Sequence, residues 1–312
     1  MDSLLLSVEA ITPIFLLMLL GYGLKQFRVA TKDQFNAINR LIFKIFLPIL
    51  LFYNIYKTDI GSILDGKLIA FTVIAVLIVF AAGYGLVFLF TKDNAKRGVM
   101  LQGFFRSNFA ILGIPLVNYI CGDNAGGLSS LMVAIIVPLF NMLAVITLER
   151  FRDGKIQFGK LIKGILTNPL VIGCAVGAIF LLLDIQLPSL IETTVSDAAS
   201  IASPLAIVVL GASFNFSTIK TSIKELIITV ATRLLIVPAL AITAAVLLGF
   251  RGEALVCLMV AFGAPTAVSS FSMAQQMGGD EELAAQIVVF SSALCLFTLF
   301  GWIFLLSSLQ LF

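Results

Sequence analysis

Apolar stretches follow one another along nearly the whole chain, and their length is the strongest constraint on its fold. A helix rising 1.5 Å per residue needs about 20 apolar residues to cross a hydrocarbon layer about 30 Å thick. Windows that meet this requirement fall at 7–26, 36–56, 68–90, 98–120, 128–149, 162–183, 196–214, 224–249, 254–276 and 284–307. A membrane β-barrel would instead alternate apolar and polar residues in segments of about ten. Hydrophobic residues make up 60% of the chain and charged ones 12%, against about 45–50% and about 25% in soluble domains. The sequence therefore predicts an all-α membrane protein with ten transmembrane helices. The polar connections are short, the longest running from Glu149 to Lys163, and none could hold a soluble domain. No basic segment precedes the first window and no small-residue cleavage site follows it, so it is expected to be a retained span and not a signal peptide.

Lysine and arginine gather in alternate loops. Lys25, Arg28, Lys32 and Arg40 lie in the first, Lys92, Lys96 and Arg97 in the third, and Arg150, Arg152, Lys155, Lys160 and Lys163 in the fifth. The positive-inside bias places these loops in the cytoplasm and both termini outside a multi-pass plasma-membrane protein. The fourth loop, with Asp123, and the sixth, with Asp184, Glu192 and Asp197, carry no basic residue, as the outer side requires. The ninth loop, with Asp280, Glu281 and Glu282, falls inside despite being acidic, because acidic residues count little in this bias. The net charge of +3 thus reports topology and a lipid bilayer, with no nucleic-acid partner implied.

The two halves repeat. Thr12-Pro13 recurs as Asn168-Pro169 and Pro48 as Pro204, each 156 residues on; Lys67 recurs as Lys224 and Gly122-Asp123 as Gly279-Asp280, each 157 residues on. Five spans per half is an odd number, so the second copy would enter the membrane upside down, the 5+5 inverted repeat of secondary carriers. Residues 1–156 and 157–312 are the expected units. Chance matching of common residues is the alternative.

The fourth and ninth spans are interrupted at equivalent places. RSNFAILGIPL sets Arg106, Ser107 and Asn108 in mid-span, with Gly113 and Pro115 after them, and AFGAPTAVSSFSMAQQ sets Gly263, Pro265 and Thr266 there. Asn108 and Pro265 are 157 residues apart. Proline removes a backbone donor, glycine permits non-helical geometry, and broken backbone at membrane depth survives only inside protein or against a wet cavity. Each break exposes a half-helix N-terminus whose N–H groups and dipole favour an anion. Ordinary proline kinks are the plainer reading.

A central arginine costs about 2.5–3.5 kcal/mol to insert, so Arg106 needs a cavity or a partner. It could attract a substrate carboxylate, cap the first half-helix, or pair structurally. Arg233, nearer a span end, is expected to snorkel to the interface. Asn141, inside the fifth span, should hydrogen-bond either a substrate or a neighbouring helix. Asp59 could relay a proton at the end of the second span or sit solvated in a loop. Ser269, Ser270 and Ser272 read as helix packing.

Enzymatic chemistry has little to work with. There is no histidine, no phosphate-binding or dinucleotide loop and no metal-ligand cluster, so no catalytic residue, cofactor or metal is expected. Cys121, Cys174, Cys257 and Cys295 are far apart and read as packing residues.

SNFAILGIPL followed by GD, and GAPTAVSSFSMAQQMGGD, resemble the auxin efflux carrier family, which includes the plant PIN proteins and bacterial permeases for malonate, malate and similar acids. The resemblance runs over essentially the whole chain. It implies crossed fourth and ninth helices in a bile-acid-symporter-like fold, a scaffold of spans one, two, six and seven, a moving part from spans three to five and eight to ten, and a homodimer. Asn108 and Pro265 match the family's crossover residues, and Asn141 falls where the family has a polar residue on its fifth helix. Where plant members carry proline before the crossover asparagine this chain has Ser107, and it lacks their long cytoplasmic loop, as a bacterial-type member would. The expected function is secondary transport of a small organic anion, a mono- or dicarboxylate, by rocking or elevator-like alternating access, as a uniporter or with proton or sodium coupling. Arg106, Ser107, Asn108, Asn141, Pro265 and Thr266 would bind the substrate, with Asp59 for proton coupling. A sodium-coupled bile-acid-type symporter would need carboxylates at the breaks, which carry none; a membrane-embedded enzyme or a channel are the rivals from other classes.

Overall fold

The computed structural model describes residues 2–58, 65–121, 126–152 and 158–312. Asp59, the proton-coupling candidate, lies outside the described residues, as do Asp123 and Lys155. Among those described, the chain is helical, with an isolated β-bridge between Ser107 and Thr266.

In chain order the helices are α1 (Asp2–Gln26), α2 (Lys32–Leu41), α3 (Leu47–Tyr56), α4 (Gly66–Phe90), α5 (Asn94–Phe105), α6 (Phe109–Cys121), α7 (Gly126–Arg152) and α8 (Phe158–Leu166). They continue as α9 (Pro169–Leu182), α10 (Ser189–Ser213), α11 (Ile223–Ala231), α12 (Val237–Leu247), α13 (Gly252–Gly263), α14 (Ser269–Met277) and α15 (Glu281–Ser308). Polar side chains before the apolar runs set several starts. Thr31 closes a capping box with Gln34 on α2, and Asp65, Asp93, Asn168 and Asp280 accept first-turn N–H groups of α4, α5, α9 and α15.

Two joints are continuous but widened. Between α2 and α3, and between α11 and α12, the ladder slips into a π-turn at Ile42–Phe46 and Thr232–Ile236. Leu47 N–H reaches back to Ile42 O and Val237 N–H to Thr232 O, each one residue before a proline, Pro48 and Pro238, that has no N–H to give. The wide turn absorbs the missing donor without a break.

Among the described residues six helices are long and apolar enough to cross a membrane: Lys32–Tyr56, Gly66–Phe90, Gly127–Arg152, Ser189–Ser213, Ile223–Leu247 and Glu281–Ser308. The fourth and ninth expected spans are each two half-helices, α5/α6 and α13/α14, and the sixth is divided at Thr167 and Asn168. Leu19, Leu89, Leu182, Leu240 and Leu247 stand more than 60% exposed on the outer helix faces, as lipid-facing residues would.

α1 lies along α10, and α3 lies along both α9 and α10. Glycine makes these approaches possible. A Cβ at Gly21 would overlap the carbonyl of Val208, and one at Gly177 would stand 2.9 Å from the carbonyl of Phe52. Both members of the first contact lie 156 residues from their counterparts in the second. α5 packs on α4, α7 and α11, and α13 on α6 and α12. Every residue of α5 from Gly98, and of α13 from Leu255, is buried, so the broken helices run through the protein interior. On the surface Lys57 pairs with Glu192 at 2.8 Å, and the bond and charge of that carboxylate raise the lysine pKa above its ordinary value.

Candidate functional site at the crossing of two broken helices

After α5 the backbone of Arg106 turns extended (φ −85°, ψ 121°), and after α13 Ala264 does the same (φ −66°, ψ 154°). The two extended segments meet. Ser107 and Thr266 form the antiparallel bridge, and Asn108 N–H donates to Pro265 O at 2.8 Å. Thr266 N–H is satisfied by Ser291 Oγ at 3.1 Å. Pro265 supplies a carbonyl and asks for no acceptor, which suits a backbone that has left its helix.

Arg106 is 3% exposed. Its Nη2 donates to Asn141 Oδ1 at 2.7 Å and Ser269 Oγ at 2.8 Å, and its Nη1 to Gln102 Oε1 at 3.1 Å, with Met273 Sδ alongside. Asn141 is held in turn, its Nδ2 donating to Val137 O at 2.8 Å. The described ion pairs lie elsewhere, so among the described residues the guanidinium is oriented by neutral groups and has no counter-ion.

A cavity of about 60 Å³ opens beside it. The crossing supplies Arg106, Ser107, Asn108 and Ser269 to its wall, α7 supplies Asn141, and Asn54 of α3 and Ser203 of α10 face them. Ser107 Oγ and Asn108 Nδ2 are buried with no hydrogen-bond partner among the described residues. A buried polar group left unpaired costs about 1–3 kcal/mol, so these are ligand-ready groups. Among the described residues no aspartate or glutamate is on that wall. A larger cavity of about 680 Å³ lies between α4 and α12, but apart from Lys67 and Thr232 its wall is apolar, and it has no convergent polar groups to orient an anion.

Of the six residues expected to bind substrate, Arg106, Ser107, Asn108 and Asn141 stand on the cavity wall. Pro265 and Thr266 stand behind it and hold the crossing together. Ser269, expected to be packing, touches Arg106 and the cavity; its place in the first turn of α14, straight after the break, was the available signal. Gln102, one turn before Arg106 on α5, was also missed. Arg233 corrects the expectation of snorkelling. It is 0% exposed and donates inward, to Ala264 O, Ala261 O, Phe104 O and Phe105 O. The π-turn at Thr232–Ile236 carries it, and sequence distance from the span end did not show which way it faces. The four cysteines are free.

The sequence matches the family described as Membrane transport protein over residues 6–158 and 154–303. An "Uncharacterized transporter" of Methanothermobacter thermautotrophicus is 25% identical over 95% of this chain and 97% of its own. A second "Uncharacterized transporter", from Methanocaldococcus jannaschii, is 23% identical over 96% of this chain and 100% of its own. A protein of Rhizobium meliloti named "Putative malonate transporter" is 23% identical over 96% of this chain and 95% of its own. The chain belongs to the membrane transport protein family, the auxin-efflux-carrier-like transporters that its two interrupted spans resemble.

Proposed function

We propose that this protein is a secondary transporter that moves a small organic anion, a mono- or dicarboxylate of the malonate type, through the crossing by alternating access. The observation that carries this reading is the buried Arg106 guanidinium, oriented by neutral partners and facing a cavity with unpaired Ser107 and Asn108 side chains and, among the described residues, no carboxylate on its wall. Such a site is short of one negative charge with acceptor oxygens, and a carboxylate supplies both. The N-termini of α6 and α14 begin beside it and add their positive dipole ends.

The architecture proposed with it is ten spans in two inverted halves, 1–156 and 157–312, in a plasma membrane with both termini outside. Its supports are the paired contacts Gly21 on Val208 and Gly177 on Phe52, and the meeting of Asn108 with Pro265. Spans one, two, six and seven (α1, α2 with α3, α9, α10) form the scaffold, and the other six carry the crossing. Substrate would lie between the two parts, where Asn54 and Ser203 face Arg106. The cavity has room for a handful of waters, each needing roughly 10–15 Å³, so loading requires the parts to separate. On the side assigned to the cytoplasm a polar latch holds them: Asn39 donates to Gln275, whose Nε2 donates to Asn36 at 3.0 Å and to Glu281 at 2.8 Å. Asp59 is the proton-coupling candidate.

The test is uptake into proteoliposomes from a panel of labelled carboxylates. Saturable uptake stimulated by unlabelled substrate on the far side, and lost in Arg106→Ala and Asn108→Ala, is expected. Flux of malonate and its relatives that never saturates and ignores far-side substrate would make the protein a channel. Imposed pH or sodium gradients, with Asp59→Asn alongside, assign the coupling.

A further inference from the structure

Arg233 has no part in the site as described, yet it is among the most deeply buried side chains of the molecule. Its partners are all backbone carbonyls. Nε and Nη2 both reach Ala264 O, at 2.9 and 2.8 Å, and Nη2 also reaches Ala261 O at 3.1 Å, at the end of α13. Nη1 lies 3.5 and 3.4 Å from Phe104 O and Phe105 O, at the end of α5. One guanidinium therefore touches the C-terminal ends of both helices that break at the crossing.

A helix C-terminus presents carbonyls without intrahelical partners and the equivalent of roughly half a negative charge. Two such ends meeting inside the protein come to about one negative charge, which one guanidinium balances. This accounts for a buried arginine that is in no ion pair among the described residues. It also fits arginine in particular, because a planar fork with five donors can serve carbonyls on two sides, whereas a lysine has three donors at one point.

We propose that Arg233 is the positioning residue of the crossing: by clasping the ends of α5 and α13 together it keeps the two extended segments in register, so that Arg106, Ser107 and Asn108 face the cavity. Arg106 directly follows Phe105, and Pro265 directly follows Ala264, so the clasp acts one residue away from the groups it positions. With both negative ends occupied by Arg233, the positive ends of α6 and α14 and the Arg106 charge are left for substrate. The supporting shell of α11 is tied to α5 as well, by Lys96 and Glu225 at 3.7 Å. The consequence for substrate rests on the reading of the cavity as an organic-anion site; the consequence for register does not.

Two readouts in the full-length protein, reconstituted after the four native cysteines are replaced, separate these. Ser107 and Thr266 are bridge partners, whose Cα atoms stand about 4.5–5.5 Å apart in such a pair, within the span of a disulfide, so Ser107→Cys with Thr266→Cys should form one when a mild oxidant is added. Adding Arg233→Lys or Arg233→Met should slow that oxidation on the order of tenfold, as loss of charged hydrogen bonds implies. In the protein with Ser107 and Thr266 intact, Arg233→Lys should raise the KM for labelled malonate by a similar factor, more than it lowers the yield of folded protein, and Arg233→Met should raise it further. Unchanged oxidation in both variants, measured on protein that elutes as the parent does, overturns the clasp. Slowed oxidation with an unchanged KM also overturns the positioning role, leaving Arg233 as a purely structural cap. If the parent takes up no carboxylate at all, the anion reading fails while the oxidation rates still decide the clasp.

Discussion

Arg106 and Asn141 act as a pair. The guanidinium makes three hydrogen bonds to neutral side-chain oxygens, and Asn141 supplies the shortest of them. Arg106→Ala should lower uptake on the order of a hundredfold, because it removes the charge as well as the donors, each charged hydrogen bond being worth about 1.5–3 kcal/mol. Asn141→Ala should raise KM roughly tenfold with less effect on maximal rate, since it loosens the guanidinium without removing it; initial rates across substrate concentrations separate the two. The polar residues of the fourth span were legible because charge at membrane depth needs a reason. Which partner each chooses was not, because Asn141 lies 35 residues from Arg106 and Ser269 lies 163 away.

The helices carry their own predictions. Gly21 and Gly177 let α1 approach α10 and α9 approach α3. Gly21→Val and Gly177→Val should each destabilise the protein by about 1–3 kcal/mol or more through overpacking, seen as earlier thermal unfolding in detergent. The Asn39–Gln275 latch joins α2 to α14, a helix of 9 residues that starts at the crossing. Asn39→Cys with Gln275→Cys, joined by a short bifunctional thiol reagent, should stop transport, and cleaving the linker should restore it. Full transport in the linked state would exclude relative movement of α2 and α14. The breaks were readable from Gly263, Pro265 and the polar run at Arg106. The π-turns were not, since Pro48 and Pro238 alone do not say whether a helix will kink, break or widen.

For the whole molecule the proposed inverted arrangement sets which side each loop should face. In a cysteine-free background, Arg28→Cys should react with an impermeant thiol reagent only from the cytoplasmic side and Gln310→Cys only from outside; both residues are exposed. Reaction from one common side would invalidate the total of ten spans. The proposed homodimer is checked by the mass of the protein in lipid nanodiscs.

The sequence by itself determined that the chain is helical and lives in a bilayer, because apolar runs of this length have no other stable home. It also located the two breaks and singled out Arg106, since proline and charge at membrane depth stand out locally against apolar neighbours. Only the tertiary structure decided what those features do. Arg233 and Arg106 are each the one arginine of an apolar span, and neither span by itself says what its guanidinium meets. One clasps carbonyls at two helix ends and the other faces a cavity, and the difference comes from which helices cross beside them. Helix ends brought together from residues 105 and 264 create a charge demand that no local window contains.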